Sequence, residues 1–198
     1  ESRDLIEAQS KGCRLVVVDP NFTETAQKAD EWVPIRPGTD GSMALAMCRV
    51  IIDEKLYDEE FVTKYCEGFT GFRDHLHEKG YTPAWAEEIC GIEAETIARL
   101  AREFATTKPA MSAIFKGSGY YTNGHDAGRA CYILDAICGE VDKPGNIHLK
   151  DWAPLGAPVE IPEDAIQTPE KDPLHVAMGY PLAPDLPNSK LPDAVING

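Results

Sequence analysis

Between Leu15 and Asp40 the chain reads LVVVDPNFTETAQKADEWVPIRPGTD, and the opening of that stretch decides most of what can follow. Leu15, Val16, Val17 and Val18 form an unbroken, largely β-branched run closed by Asp19-Pro20, the pattern of a strand buried on both faces of a parallel sheet. Parallel strands are covered by helices, so an α/β fold with a mostly parallel sheet is expected. In such sheets ligands sit beyond the carboxyl ends of the strands, where an acid can accept hydrogen bonds from ribose hydroxyls. Asp19 stands at that end. Asp40 offers a second acceptor on the next loop, behind Pro37, Gly38 and Thr39.

The formal net charge of -14 works against nonspecific binding to nucleic acid or to an anionic membrane surface, because both require a positive face. An anionic ligand must instead be held locally, by backbone N–H groups at turns and helix starts. With 198 residues, 43% of them hydrophobic, the chain can bury one core of ordinary size. No apolar run approaches the roughly 20 residues that span a bilayer, so direct membrane insertion is not expected. The opening ESRDLIEAQSKG lacks the apolar centre of a signal peptide. It reads as the last turns of a helix already under way, stopped by Gly12, so the chain is expected to be an excised fragment. Cys13, Cys48, Cys66, Cys90, Cys131 and Cys138 contain no C-x-x-C pair and no metal-type spacing; buried packing roles are expected for all six.

Beyond the first strand, Thr23 to Asp30 reads as a turn or short helical piece, and Trp32 to Ile35 as a brief second strand broken by Arg36-Pro37-Gly38. Gly41 to Glu54 is apolar on most sides, with Arg49 and Asp53 as its polar stripe, which predicts a helix covered on several faces and capped by Asp40 or Ser42. Short helices are expected at Asp58 to Tyr65, Phe72 to Glu78 and Pro83 to Cys90. Ile92 to Thr106 carries apolar residues at three- and four-residue steps and should pack on the sheet. Ala110 to Phe115 reads as another strand, followed by a loop through Gly117-Ser118-Gly119 and an amphipathic helix from Ala127 to Cys138 that Gly139 ends. Nine of the 15 prolines follow Lys150, so residues 149–198 are expected to form an extended arm or linker beside a domain spanning 1–148.

Taken in order, VVVDPNFTETAQKADEWVPIRPGTDGSMALAM, YDEEFVTKYCEGF, EEICGIEAETIARLAREFA and GRACYILDAICGEVDKPGN resemble the molybdopterin oxidoreductases, the dimethyl sulfoxide reductase superfamily. The match runs from about Gly12 to Asn146, and its specificity lies in the combination Asp-Pro-x-x-Thr-x-Thr-Ala, Ala-Asp, then Arg-Pro-Gly-Thr-Asp. The resemblance implies a Rossmann-like three-layer domain, with helices on both faces of the sheet, that grips a guanosine end of bis(molybdopterin guanine dinucleotide). It implies a molybdenum or tungsten enzyme catalysing two-electron or oxygen-atom transfer as the full-length catalytic subunit, the fragment alone being inactive. The metal's protein ligand and an iron–sulfur cluster would lie upstream of this span. The implied partners are the remaining domains of the same subunit and an iron–sulfur electron-transfer subunit, and the implied location is cytoplasmic or exported through a twin-arginine leader outside this span.

Carried over by position, Asp19, Pro20 and Asn21 match the family's loop beneath the guanosine, although the family often has arginine where this chain has Asn21. Gly38, Thr39 and Asp40 match its guanine-reading turn, and Lys116, Gly117 and Tyr120 fall in a loop that approaches the pterin. The chemistry agrees, since one carboxylate can accept the N1–H and exocyclic amine of a guanine edge together. Two other readings stand beside it. Asp19 and Asp40 could act only as turn and cap formers in a structural α/β docking module. A nicotinamide-dependent dehydrogenase would also use strand-end acids, but the chain lacks Gly-x-Gly-x-x-Gly after its first strand. His125, Asp126 and Arg129 read as a polar helix face.

Overall fold

The computed structural model describes residues 2–114 and 116–148. The chain divides into two compact units, Glu1–Lys150 and Asp151–Gly198. The second, and with it the arm expected over 149–198, lies outside the described residues.

The first unit begins with helix α1 (Ser2–Ser10) and continues into β1 (Val16–Val18), a 3-10 turn (Ala26–Lys28) and β2 (Glu31–Val33). The strands pair in parallel, Val16 opposite Glu31 and Val18 opposite Val33. The Asp30 carboxylate accepts the Leu15 N–H at 2.7 Å, and the Asp30 N–H returns to the Leu15 carbonyl, which sets the start of this register. The α/β class and parallel pairing are thus as expected, in a sheet of two strands of three residues each. β1 is not buried on both faces: Val16 and Val17 are half-buried and Val18 is 37% exposed. With a single neighbouring strand, its apolar run is only partly covered.

Most burial lies in the helices. α2 (Asp40–Asp53) carries eight buried residues and packs against α4 (Phe69–Glu78), α5 (Pro83–Cys90), α6 (Ala94–Thr106) and α8 (Gly124–Ile137). Its exposed side bears the expected Arg49 and Asp53, joined at 2.6 Å. α3 (Glu59–Tyr65) starts where the Asp58 carboxylate accepts the Phe61 N–H. α5 is bounded by local chemistry: the Thr82 hydroxyl accepts the Trp85 N–H, Pro83 opens the first turn, and Gly91 ends it at φ 78°. α6 packs chiefly on α2 and α5 rather than on the sheet, which it meets through the ion pair between Arg99 and Glu31.

The strand expected over Ala110 to Phe115 does not form within the described part, Ala110 to Ile114. Its backbone donors turn to carboxylates instead. The Ser112 N–H reaches Asp135 on α8 at 2.8 Å, and the Ala110 N–H reaches Glu140 at 3.4 Å. The Gly117-Ser118-Gly119 loop is a single helical turn, α7 (Lys116–Gly119). Among the described residues no helix is long and apolar enough to cross a membrane.

Candidate functional site

Because β1 and β2 are parallel, the loops that follow them leave from the same edge of the sheet. Asp19 is fixed there from three directions. Its N–H donates to the Val33 carbonyl at 3.2 Å, its own carbonyl accepts the Trp32 indole N–H at 2.9 Å, and Oδ1 accepts the Asn21 N–H at 2.7 Å. That last bond is an Asx turn, so Asp19 does form the turn through Pro20 and Asn21. Oδ2 makes no hydrogen bond among the described residues and stays available. Pro20 and Asn21 are exposed, and Phe22 lies against Trp32 with ring centroids 4.9 Å apart.

The second loop is built around Arg36, Pro37, Gly38 and Thr39. Pro37 supplies the fixed φ of a turn's second position, and Gly38 takes φ 77° at the third, the arrangement of a type II turn. The Thr39 N–H closes the turn onto the Arg36 carbonyl at 3.3 Å, and the Thr39 hydroxyl donates to the same oxygen at 2.6 Å. Arg36 ties the loop to α5: its N–H donates to the Cys90 carbonyl, and its guanidinium donates to Glu88 and Ile89 carbonyls at 2.7 and 3.1 Å. A cation at a helix carboxyl end is the favourable sign.

Neither Asp40 nor Ser42 caps α2. Thr39 occupies the cap position without a side-chain cap bond, and the Ser42 hydroxyl donates to the Thr39 carbonyl at 2.7 Å. A donating hydroxyl cannot also satisfy a helix N–H with that proton, and Asp40 lies inside the first turn, past the cap position. The Asp40 carboxylate makes no hydrogen bond or ion pair among the described residues. It sits where the helix dipole favours negative charge.

A third segment converges on this turn from far along the chain. The Tyr121 ring lies against Gly38, and the Asn123 side-chain amide donates to the Gly38 carbonyl at 3.1 Å. Just beyond, Gly41 faces Ala127, whose Cα would stand 3.1 Å from an added Cβ, and Gly124 meets Gly119 even more closely. These glycines let the starts of α2 and α8 and the end of α7 meet. The structure therefore brings Gly38, Thr39 and Asp40 to the segment that contains Lys116, Gly117 and Tyr120. Tyr120 itself is 77% exposed, and the contact with the turn is made by its neighbour Tyr121. Tyr121 and Asn123 were not singled out by sequence reasoning; the Asn-Gly step ahead of an amphipathic run was the available signal.

Asp126 and Arg129 form a wide, exposed pair at 3.9 Å, and His125 is exposed. Five of the six cysteines are buried or half-buried, while Cys13 is exposed, contrary to the expectation for all six. Burial pushes the Cys131 thiol up to about 11 and Cys138 up to about 12, and holds Cys48 well above the ordinary thiol range, with Cys138 and Cys131 as like-charge neighbours. Such thiols stay neutral and pack as small apolar groups. Among the described residues no group of three or more histidine, cysteine or acidic side chains is arranged to hold a metal ion.

Asp19 follows β1 and Asp40 follows the Gly38 turn after β2, so the two acids stand on the loops that these parallel strands lead into, in a chain of the α/β class. The chain belongs to the molybdopterin oxidoreductase family, which it matches over residues 3–172. It is 36% identical over 151 residues to the dimethyl sulfoxide reductase DmsA of Escherichia coli, covering 67% of this chain and 19% of that protein. It is 35% identical over 151 residues to the thiosulfate reductase molybdopterin-containing subunit PhsA of Salmonella typhimurium, covering 76% of this chain and 20% of that one. The solved acetylene hydratase from Pelobacter acetylenicus superposes with a TM-score of 0.66 at 41% identity, over 69% of this chain and 19% of the hydratase. The chain thus spans about a fifth of the length of the relatives it matches.

Proposed function

We propose that this chain forms the guanosine-gripping part of a molybdopterin guanine dinucleotide site in the catalytic subunit of a molybdenum or tungsten oxidoreductase. The observation that carries the reading is the Asp40 carboxylate, which has no hydrogen bond or ion pair among the described residues and follows a turn already held by Arg36, Thr39 and Asn123. The residues fit a guanine edge. Two adjacent N–H donors meet one ionised carboxylate in a charge-assisted pair. Asp19, with Oδ2 spare, stands at the same sheet edge for ribose hydroxyls, and Pro20 and Asn21 complete its turn. Lys116, Gly117 and Tyr120 line the neighbouring loop that leads toward the rest of the cofactor.

When bound, the cofactor carries the two-electron or oxygen-atom chemistry; this chain's residues bind and orient its nucleotide end. The other domains of the same subunit would close the site, and an iron–sulfur subunit would exchange electrons with it. Titration with guanosine diphosphate and NAD tests the reading. Selective guanosine binding, weakened about ten-fold or more by Asp40→Asn, is the expected outcome, because a charge-assisted pair becomes a neutral amide that offers only one acceptor. NAD binding would support a nicotinamide dehydrogenase. Binding of neither ligand would support a docking module.

A further inference from the structure

Gly38 is covered by a residue distant in sequence. A Cβ built on Gly38 would stand 3.0 Å from both Cγ and Cδ1 of Tyr121 and 3.4 Å from Cδ2. Three ring atoms at such similar distances mean that Gly38 faces the flat side of the ring, near its root, and not its edge. Any side chain at this position would displace the ring. Gly38 is therefore required twice, for its positive φ and for this contact. One face of Tyr121 rests on the turn, yet the residue keeps 46% of its surface exposed.

Asn123, two residues further on, donates to the Gly38 carbonyl and ties the same turn to the start of α8. The aromatic ring and the turn are thus held together by packing on one side and a hydrogen bond on the other. Asp40 lies two residues beyond Gly38, at the first residue of α2. An aromatic face held against a turn, two residues before an acid that has no hydrogen bond or ion pair among the described residues, supplies the two elements that recognise a purine: a ring to stack on the base and a carboxylate to read its edge.

We infer that the outward face of the Tyr121 ring is the stacking platform for the purine base whose edge Asp40 reads, with Asn123 as the positioning residue that holds the Gly38 turn against it; this rests on the guanosine reading of the turn. The two residues divide the work. Stacking is indifferent to which purine is present, so Tyr121 supplies affinity, while Asp40 supplies the preference for guanine.

NMR titration of the whole 198-residue chain with guanosine and adenosine diphosphates separates these roles and reads weak binding. Tyr121→Ala is expected to weaken both nucleotides by about ten-fold, to keep their ratio, and to abolish the upfield ring-current shift of the base protons. Tyr121→Phe keeps the ring and should stay within about two-fold of wild type. Tyr65→Ala, an exposed tyrosine on α3, should change nothing. Asn123→Ala should speed amide exchange at Thr39 and Asp40 and weaken binding less than Tyr121→Ala; unchanged exchange there overturns its positioning role. If Tyr121→Ala binds like wild type while Asp40→Asn weakens guanosine, the platform is wrong and the guanosine reading stands. If the wild-type chain shows no guanosine preference at all, both fall.

Discussion

The helical body and the sheet edge of this unit are held together by different forces. Around α2 the contacts are apolar: Ala46, Cys48, Ile51, Leu76, Ile97 and Ala101 are fully buried in one continuous cluster with α4, α5, α6 and α8. At the sheet, two strands of three residues leave Val18 and Phe22 exposed, and the fastening is polar. Arg14 and Arg99 each hold a Glu31 oxygen at 2.5 Å, Asp30 holds Leu15, and Trp32 holds Asp19. The body is held by apolar packing, and the strand pair by charged and hydrogen-bonded contacts.

The sharpest way to break that comparison is to cut into the body. Ile51→Ala removes a fully buried side chain of the central helix α2 and is expected to cost about 2–5 kcal/mol in denaturant unfolding. A cost below about 1 kcal/mol would mean that the body is loosely packed and that the contrast with the edge is false.

A smaller effect is expected where an extended segment meets the body. Asp135 is fully buried, accepts the Ser112 N–H and hydroxyl, and has its carboxyl raised above 3.8 by burial, against the lowering effect of Ser112. A raised folded value means the native state holds this proton more tightly than the unfolded chain. Its stabilisation is therefore full in acid below 3.8 and is lost as pH rises through the folded value. Ser112→Ala removes one donor to a buried charge and should cost about 1.5–3 kcal/mol near neutrality. The cost should shrink in acid, where the carboxyl is protonated; stability curves for both proteins from pH 3 to 8 check it, and a pH-independent cost would sink the account.

The same contrast explains what the sequence could and could not tell. The α5 boundaries were legible because Thr82, Pro83 and Gly91 act on their own backbone and need no partner. α2 was legible as a run apolar on most sides, and α8 because a one-sided apolar period survives whatever covers it. A strand is different, since it exists only with a neighbour: Ala110 to Ile114 has strand-like residues, but its donors found Asp135 and Glu140. The burial of β1 was over-read for the same reason. Asp19 and Asp40 could be picked from their places after strands, whereas Tyr121 could not, because its partner Gly38 lies far away in sequence and the contact is a product of α2 meeting α8.

The smallest expected effect sharpens the comparison most, because it tests the edge alone. Glu31 is hydrogen-bonded to Arg99 on α6 and also faces Arg14, and the Arg99 bond holds its carboxyl below 4.5 against the opposing cost of burial. A depressed folded value stabilises the native state above 4.5, and that contribution is lost as pH falls through the folded value. The side chain keeps 22% of its surface in water, so screening limits the gain. Glu31→Gln should therefore cost only about 0.5–1 kcal/mol at neutral pH. The gap between variant and wild type should close in acid and narrow in about 1 M salt, opposite in pH sense to the behaviour of Asp135. If the Glu31→Gln cost instead persisted unchanged through acid and salt, the sheet would be held by packing like the body, and the division of labour between them would collapse.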